Sequence, residues 1–228
     1  MALIEAAGLM KHYHSGESEL AALAGIDLSV ETGAFIVLAG RSGSGKTTLL
    51  NILGGLDQPD GGSLSVAGRD MLAMSNSERA AFRLKHLGFV FQAYNLIRVL
   101  TARENVAYVL QLQGMPKSRR FQVADQWLDE VDLAGYADRR PDQMSGGQQQ
   151  RVAVARALAT GPDLVLADEP TANLDSTTGE ALINLMRHLN EEHGTTFLVA
   201  SHDPMVIAAA RTLIMLQDGR IESVTEQR

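Results

Sequence analysis

Ala34-Phe35-Ile36-Val37-Leu38-Ala39-Gly40-Arg41-Ser42-Gly43-Ser44-Gly45-Lys46-Thr47-Thr48-Leu49-Leu50 is an apolar run, a glycine loop and the start of a helical pattern that continues to Leu53. Strand, glycine loop and helix in that order are the context a phosphate-binding loop requires. Gly40, Gly43 and Gly45 let the backbone curl until successive N–H groups face one anion. A helix beginning near Lys46 adds the positive end of its dipole. Lys46 can then reach the outer phosphates of a nucleotide, and the Thr47 hydroxyl can ligate an accompanying Mg²⁺. Arg41, Ser42, Ser44 and Thr48 complete the candidate nucleotide-binding loop. A plain glycine turn would explain the glycines but not Lys-Thr at this offset.

Working outward, Leu3 to Lys11 and Ile26 to Val30 read as strands on either side of a polar loop, His12 to Leu20. Asp57 to Gly62 is dense turn chemistry leading into an alternating strand, Ser63 to Ala67, closed by Gly68. Ser77 to Lys85 reads as a helix and Leu87 to Phe91 as a short buried strand ending at Gln92. From Arg103 to about Leu133 the pattern is helical only, with apolar faces at Val106, Val109, Leu110 and Leu112 and at Val123, Trp127, Leu128 and Val131. Beyond it come helix Gln149 to Ala159, strand Asp163 to Ala167, helix Ser176 to Glu192, strand Thr196 to Ala200, helix Pro204 to Ala210 and strand Leu213 to Leu216. Alternating strands and helices predict an α/β fold with a three-layer core and a mostly parallel sheet. The expected division is one domain, 1–228, in which a helical subdomain, 93–143, interrupts a core formed by 1–92 and 144–228. That core carries an N-terminal antiparallel β part.

The 228 residues, 45% apolar and 21% charged, suit a globular chain with a substantial core. A net charge of −7 makes a general nucleic-acid binder unexpected. With no cysteine, thiolate chemistry, disulfides and cysteine-held zinc are excluded. Met1 to Glu5 lack the basic and apolar regions of a signal peptide, and no apolar run approaches the roughly 20 residues needed to span a bilayer. The histidines other than His202 show no metal-ligand spacing.

Three further stretches carry chemistry. Leu164-Val165-Leu166-Ala167-Asp168-Glu169-Pro170 sets two carboxylates at the C-terminal end of a buried strand, the edge where α/β sheets bind ligands. Asp168 suits a metal ion opposite Thr47, and Glu169 suits the polarisation of an attacking water. An acidic pair capping the next helix is the plainer alternative. Ser145-Gly146-Gly147-Gln148 opens a helix and offers a second anion site at its start, or simply a serine cap beside a glycine turn. Ala93 to Leu100 is an apolar stretch joining the core to the helical part; it is either packing at the junction or a docking surface.

Together these residues resemble the ATP-binding subunit of ATP-binding cassette (ABC) transporters along essentially the whole chain. Gly40 to Thr47 is like the Walker A loop of a P-loop NTPase, Leu164 to Asp168 like Walker B, and Ser145 to Gln148 like the signature motif, with Met144 where the family usually has Leu. Asn51 to Asp57, Leu87 to Gln92 and Leu100 to Val106 are most similar to lipoprotein-releasing and macrolide-export ATPases. The resemblance implies hydrolysis of Mg-ATP, with Gln92 as a metal and γ-phosphate contact, Tyr13 stacked on adenine, Asn173-Leu174-Asp175 at a dimer seam and His202 as the switch histidine. It implies two composite sites in a head-to-tail homodimer, and an integral membrane permease that would hold the chain at the cytoplasmic face of the inner membrane. It also implies that 93–100 lines a cleft for a permease helix. A soluble ABC-type ATPase acting on DNA or ribosomes is the alternative.

Overall fold

The computed structural model describes residues 2–15 and 18–227. Its strands are β1 (Ala2–Ser15), β2 (Ser18–Glu31), β3 (Phe35–Ala39), β4 (Gly61–Val66), β5 (Arg69–Asp70), β6 (Leu87–Phe91), β7 (Leu164–Asp168), β8 (Thr196–Ser201), β9 (Thr212–Gln217) and β10 (Arg220–Glu226). Its α-helices are α1 (Lys46–Leu53), α2 (Asn76–His86), α3 (Ala102–Leu112), α4 (Lys117–Glu130), α5 (Gly146–Leu158), α6 (Ser176–His193) and α7 (Pro204–Ala208). One antiparallel sheet has the order β2-β1-β4-β5. The other has the order β10-β9-β3-β8-β7-β6 and is parallel except where β10 turns back along β9.

The central strands are buried on both faces, so they read as continuous apolar runs, and alternation decides which side each residue serves. Phe35, Val37 and Ala39 join a core with α3, α4, α5 and α6, where Phe35 packs on Phe197 with centroids 5.8 Å apart. Ile36 and Leu38 face the opposite way, into a core shared with α1 and the antiparallel sheet. Each fully buried Leu or Ile here contributes about 1.5–3 kcal/mol. Within the first core Val106, Leu110 and Leu128 have no exposed surface, so α3 and α4 share one apolar interior with α5.

Several local expectations change. The polar loop expected at His12 to Leu20 is mostly sheet: β1 runs to Ser15 and β2 starts at Ser18, while Gly16 and Glu17 lie outside the described residues. Polar residues can occupy this strand because the 57–60 turn supplies their partners. Asp60 accepts from the His12 N–H at 2.6 Å, and Lys11 Nζ donates to the Gln58 carbonyl at 2.7 Å. Helix α5 begins at Gly146, not Gln149, because Ser145 and Gln148 cap it reciprocally. Helix α7 is shorter than expected, and β10 was not anticipated at all. None of the described helices is long and apolar enough to cross a membrane.

Candidate functional site

The loop after β3 curls around the Lys46 side chain. Lys46 is 6% exposed; its ammonium donates to the Gly40 carbonyl at 2.7 Å and the Arg41 carbonyl at 3.2 Å. The turn is closed by Ser44 N–H to Arg41 O at 3.1 Å. Gly45, at φ 105°, takes the left-handed position before α1, and a Cβ there would strike the Ala22 carbonyl of β2. No side chain caps α1, so its first-turn amides are left for a ligand.

Strands β7 and β8 bring the carboxylates to this loop. Thr47 Oγ1 donates to Asp168 Oδ2 at 2.9 Å, whereas Asp168 Oδ1 is buried with no partner. Burial pushes the Asp168 carboxyl above its ordinary value and Glu169 adds to this, against the Thr47 hydrogen bond and the Lys46 charge. A hydroxyl beside a carboxylate with an idle, desolvated oxygen is a donor set that fits a hard divalent cation such as Mg²⁺.

Glu169 adopts φ 46°, rare for a side chain with a Cβ, and its N–H donates to Ala200 O at 2.9 Å. The turn holds its carboxylate 3.5 Å from Lys46 Nζ. Ser201 Oγ donates to Glu169 Oε2 at 3.2 Å, and His202 Nδ1 lies 2.8 Å from Oε1. The strand register Asp168↔Ala200 puts Glu169 and His202 on neighbouring strand ends. The four groups Lys46, Asp168, Glu169 and His202 thus converge, and they can bind a polyphosphate, bind its cation and polarise a water.

Among the described residues Gln92, Tyr13, Ser145, Gln148 and Asn173 make no hydrogen bond to these four groups, and their partners lie elsewhere. Gln92 follows Phe91, which pairs with Asp168, but its side chain is exposed; its carbonyl accepts from Asn173 Nδ2 at 2.9 Å. Tyr13, 41% exposed, donates to Asp57 Oδ2 at 2.8 Å, and Lys11 Nζ sits 5.3 Å from its ring centre. Burial, then the Asp57 bond, raise the Tyr13 phenol, with the neighbouring Thr48 hydroxyl opposing. Ser145 and Gln148 satisfy each other at the start of α5. Gly146 and Gly147 there lie so close to the Tyr94 hydroxyl and the Thr178 methyl that a side chain would collide. Leu174 closes a turn to Thr171, and Asp175 caps α6 through the Thr178 N–H at 3.0 Å.

Gln150 went unnoticed in the sequence, lying inside a glutamine run. It has no exposed surface and donates to Pro170 O at 2.8 Å and Phe91 O at 3.3 Å, joining the loops after β6 and β7. Arg156 likewise serves the Tyr94 and Asn95 carbonyls, both residues having positive φ. The stretch 93–100 divides in two. Tyr94, Leu96 and Arg98 line a cavity with Pro141, Gln149 and Asn173, and Leu96 packs on the core. Ile97 instead lines an apolar groove of about 390 Å³ with Leu56, Phe89, Phe91, Tyr108 and Val109.

The chain is similar to known proteins over its whole length. The ABC transporter family model matches residues 23–172. The macrolide export ATP-binding/permease protein MacB of Aggregatibacter actinomycetemcomitans is 43% identical over 100% of this chain, which spans 35% of that protein. An uncharacterized ABC transporter ATP-binding protein of Methanocaldococcus jannaschii is 45% identical, covering 97% of this chain and 99% of that one. The dimeric post-hydrolysis structure of the ATP-binding cassette MJ0796, bound to ADP and Pi, superposes with a TM-score of 0.91 at 40% identity over 99% of both chains. The loop, the paired carboxylates and the histidine are therefore read on a common scaffold, and the chain belongs to the ABC transporter family as its ATP-binding cassette.

Proposed function

We propose that this chain hydrolyses Mg-ATP at two shared sites of a head-to-tail homodimer and so drives an integral membrane permease. The observation that carries the reading is the convergence of Lys46, Thr47, Asp168, Glu169 and His202 at one sheet edge. Lys46 and the α1 amides bind the phosphates of ATP, and Tyr13 receives its adenine. Thr47, Asp168 and Gln92 would hold Mg²⁺, which when bound would offset phosphate charge. Glu169 polarises the water, and His202 orients Glu169 and the γ-phosphate. Ser145 to Gln148 of a second copy cover the phosphates, with Asn173 to Asp175 at the seam. In this scheme 93–143 moves as a helical unit against 1–92 and 144–228.

Support for dimer and permease comes from the relatives: the solved cassette is a dimer, and the MacB proteins join a like segment to a permease. An export, lipoprotein-release or mechanotransmission role fits that kinship, with the chain held at the cytoplasmic membrane face by the permease. The test is Glu169→Gln, which keeps shape but cannot accept a proton. It should bind Mg-ATP, hydrolyse it about 10²–10⁴-fold more slowly, and run as a dimer with ATP in light scattering. A monomer under those conditions rejects the shared site.

A further inference from the structure

Two helices end against each other far from the phosphate loop. Glu130 is the last residue of α4 and His193 the last of α6, with Glu192 just before it. His193 comes just before β8 begins, at the opposite end of that strand from His202. One oxygen of each carboxylate and one ring nitrogen of His193 lie within 4.8 Å of one another. Glu130 Oε2 is 4.0 Å from His193 Nε2. The imidazole is placed by Trp127, one turn before Glu130 on α4, whose ring centre is 4.9 Å away at a tilt of 50°. Trp127 in turn packs against the core beneath it. The corner is also short of cations. Both helices turn their carbonyl ends, the negative poles of their dipoles, toward it. Among the described residues neither Glu130 nor Glu192 has a Lys or Arg within ion-pair distance; their partners are His193 and, 3.1 Å from Glu192 Oε2, His188. The neighbouring Glu191, by contrast, is held by Arg211. A neutral imidazole leaves both carboxylates without a counter-charge and adds a lone pair of its own.

We propose that Glu130, Glu192 and His193 bind one divalent ion of the Zn²⁺ class and thereby clasp α4 to α6. An imidazole nitrogen with two carboxylate oxygens suits Zn²⁺ or Co²⁺ better than Mg²⁺ or Ca²⁺, which take oxygen ligands. That chemistry separates the corner from Thr47 and Asp168, whose oxygens fit a hard cation. Bonds of about 2.0–2.2 Å put the ligand atoms of a tetrahedral ion about 3.4 Å apart, with water in the fourth position. Starting from at most 4.8 Å, each pair closes by no more than about 1.4 Å, an adjustment open to the rotamers of exposed glutamates. Glu130 comes from the segment 93–143, and Glu192 and His193 come from the core. The ion therefore ties together the two parts that the proposed cycle moves against each other; that consequence, unlike binding itself, rests on the reading above.

The test titrates the full chain, free of nucleotide and of any polyhistidine tag, with Co²⁺ as a coloured stand-in for Zn²⁺. The visible absorption of a tetrahedral ion should saturate at one Co²⁺ per chain and be abolished by Zn²⁺. Glu130→Gln and His193→Ala should each weaken binding at least tenfold, whereas Asp168→Asn should leave it unchanged. Glu130→Gln alters an exposed group and keeps its shape, so it decides the matter even where loss of the Trp127 contact makes His193→Ala fold poorly. With saturating Mg-ATP, buffered Zn²⁺ should lower the turnover of the unaltered chain at least threefold and leave that of Glu130→Gln as it was. Absence of tetrahedral absorption, absorption lost only in Asp168→Asn, or undiminished binding in Glu130→Gln overturns the site. Binding at the corner with no effect of Zn²⁺ on turnover, or with equal inhibition in Glu130→Gln, overturns the clasp. A chain that hydrolyses no ATP without Zn²⁺ overturns the ATPase reading instead, and the Co²⁺ titration still decides the site.

Discussion

Removing the anchor beneath Tyr13 should weaken ATP binding without slowing the chemistry. Tyr13 projects from β1, and its hydroxyl is fixed by Asp57, whose other oxygen is held by Lys11 Nζ at 3.0 Å. Burial opposes ionisation of Asp57, but the Lys11 and Tyr13 hydrogen bonds outweigh it and its carboxyl lies below the ordinary value. The same ammonium sits near the Tyr13 ring, so ring tilt and distance are set by one network. A hydrogen bond to a charged group contributes roughly 1.5–3 kcal/mol when buried. With Tyr13 41% exposed and the Asp57 side chain 32% exposed, solvent screening brings this down. About 1 kcal/mol of lost positioning corresponds to a rise of about 5-fold in KM. Tyr13→Phe keeps the ring and loses the anchor, whereas Asp57→Asn keeps the shape and loses the charge. Steady-state ATPase assays should show each raising KM by that factor with kcat within about twofold, and the double variant no worse than either alone. Tyr13→Ala, which loses the ring, should raise KM further. An unchanged KM in Tyr13→Phe refutes the anchoring role; an unchanged KM in Tyr13→Ala refutes the adenine platform as well.

Two other substitutions probe the centre of the site. Lys46→Ala should cut ATP turnover by about 10²–10³-fold, the usual worth of a positioned electrostatic donor, and undiminished steady-state ATPase would contradict the loop assignment. Asp168→Asn should raise the melting temperature of the nucleotide-free protein, because a desolvated charge with an unpartnered oxygen is removed while the Thr47 hydrogen bond can still be accepted. The same variant should lose Mg²⁺-dependent stabilisation by ATP; a lower melting temperature without ligand would show that the charge is compensated.

The core strands were legible in the sequence because burial on both faces leaves a continuous apolar signature, as in Phe35 to Ala39 and Leu164 to Ala167. The phosphate loop was legible because its glycines and Lys46 obey a fixed spacing. The outer half of β1 was not, since His12 and Tyr13 are polar residues whose partners, Asp60 and Asp57, lie 48 and 44 residues away. A local pattern cannot reveal such pairing. Strand β10 escaped because it is an edge strand with mostly exposed side chains. Its one signal was Asp218-Gly219, both at positive φ, a two-residue hairpin turn. Within 93–100 the sequence left packing and docking surface undivided, because apolarity alone does not say which residues the chain's own core has already taken. Leu96 packs inward and Ile97 faces out.

The hydrogen bonds around Gln92 tie the turn after β7 to the segment that lines the groove. Asn173 grips the Gln92 carbonyl, and Gln150 bridges the Phe91 and Pro170 carbonyls. The chain leaving β6 is therefore bonded to the turn that follows Glu169. A few residues on, Tyr94 and Asn95 take positive φ and give their carbonyls to Arg156. Asn105 continues the chain of bonds, accepting from the Ile97 N–H at 2.8 Å and donating to Ile97 O at 3.1 Å. Asn105 is 1% exposed and sits on α3, so the Ile97 backbone is fixed to α3 while Gln92 is fixed to the turn after β7. Only Ala93 to Leu96 lie between those two anchorages. Within that span Tyr94 and Asn95 hold positive φ, and Arg156 of α5 fixes both of their carbonyls. The segment that lines the groove is thus bonded at one end to the turn after β7 and at the other to α3.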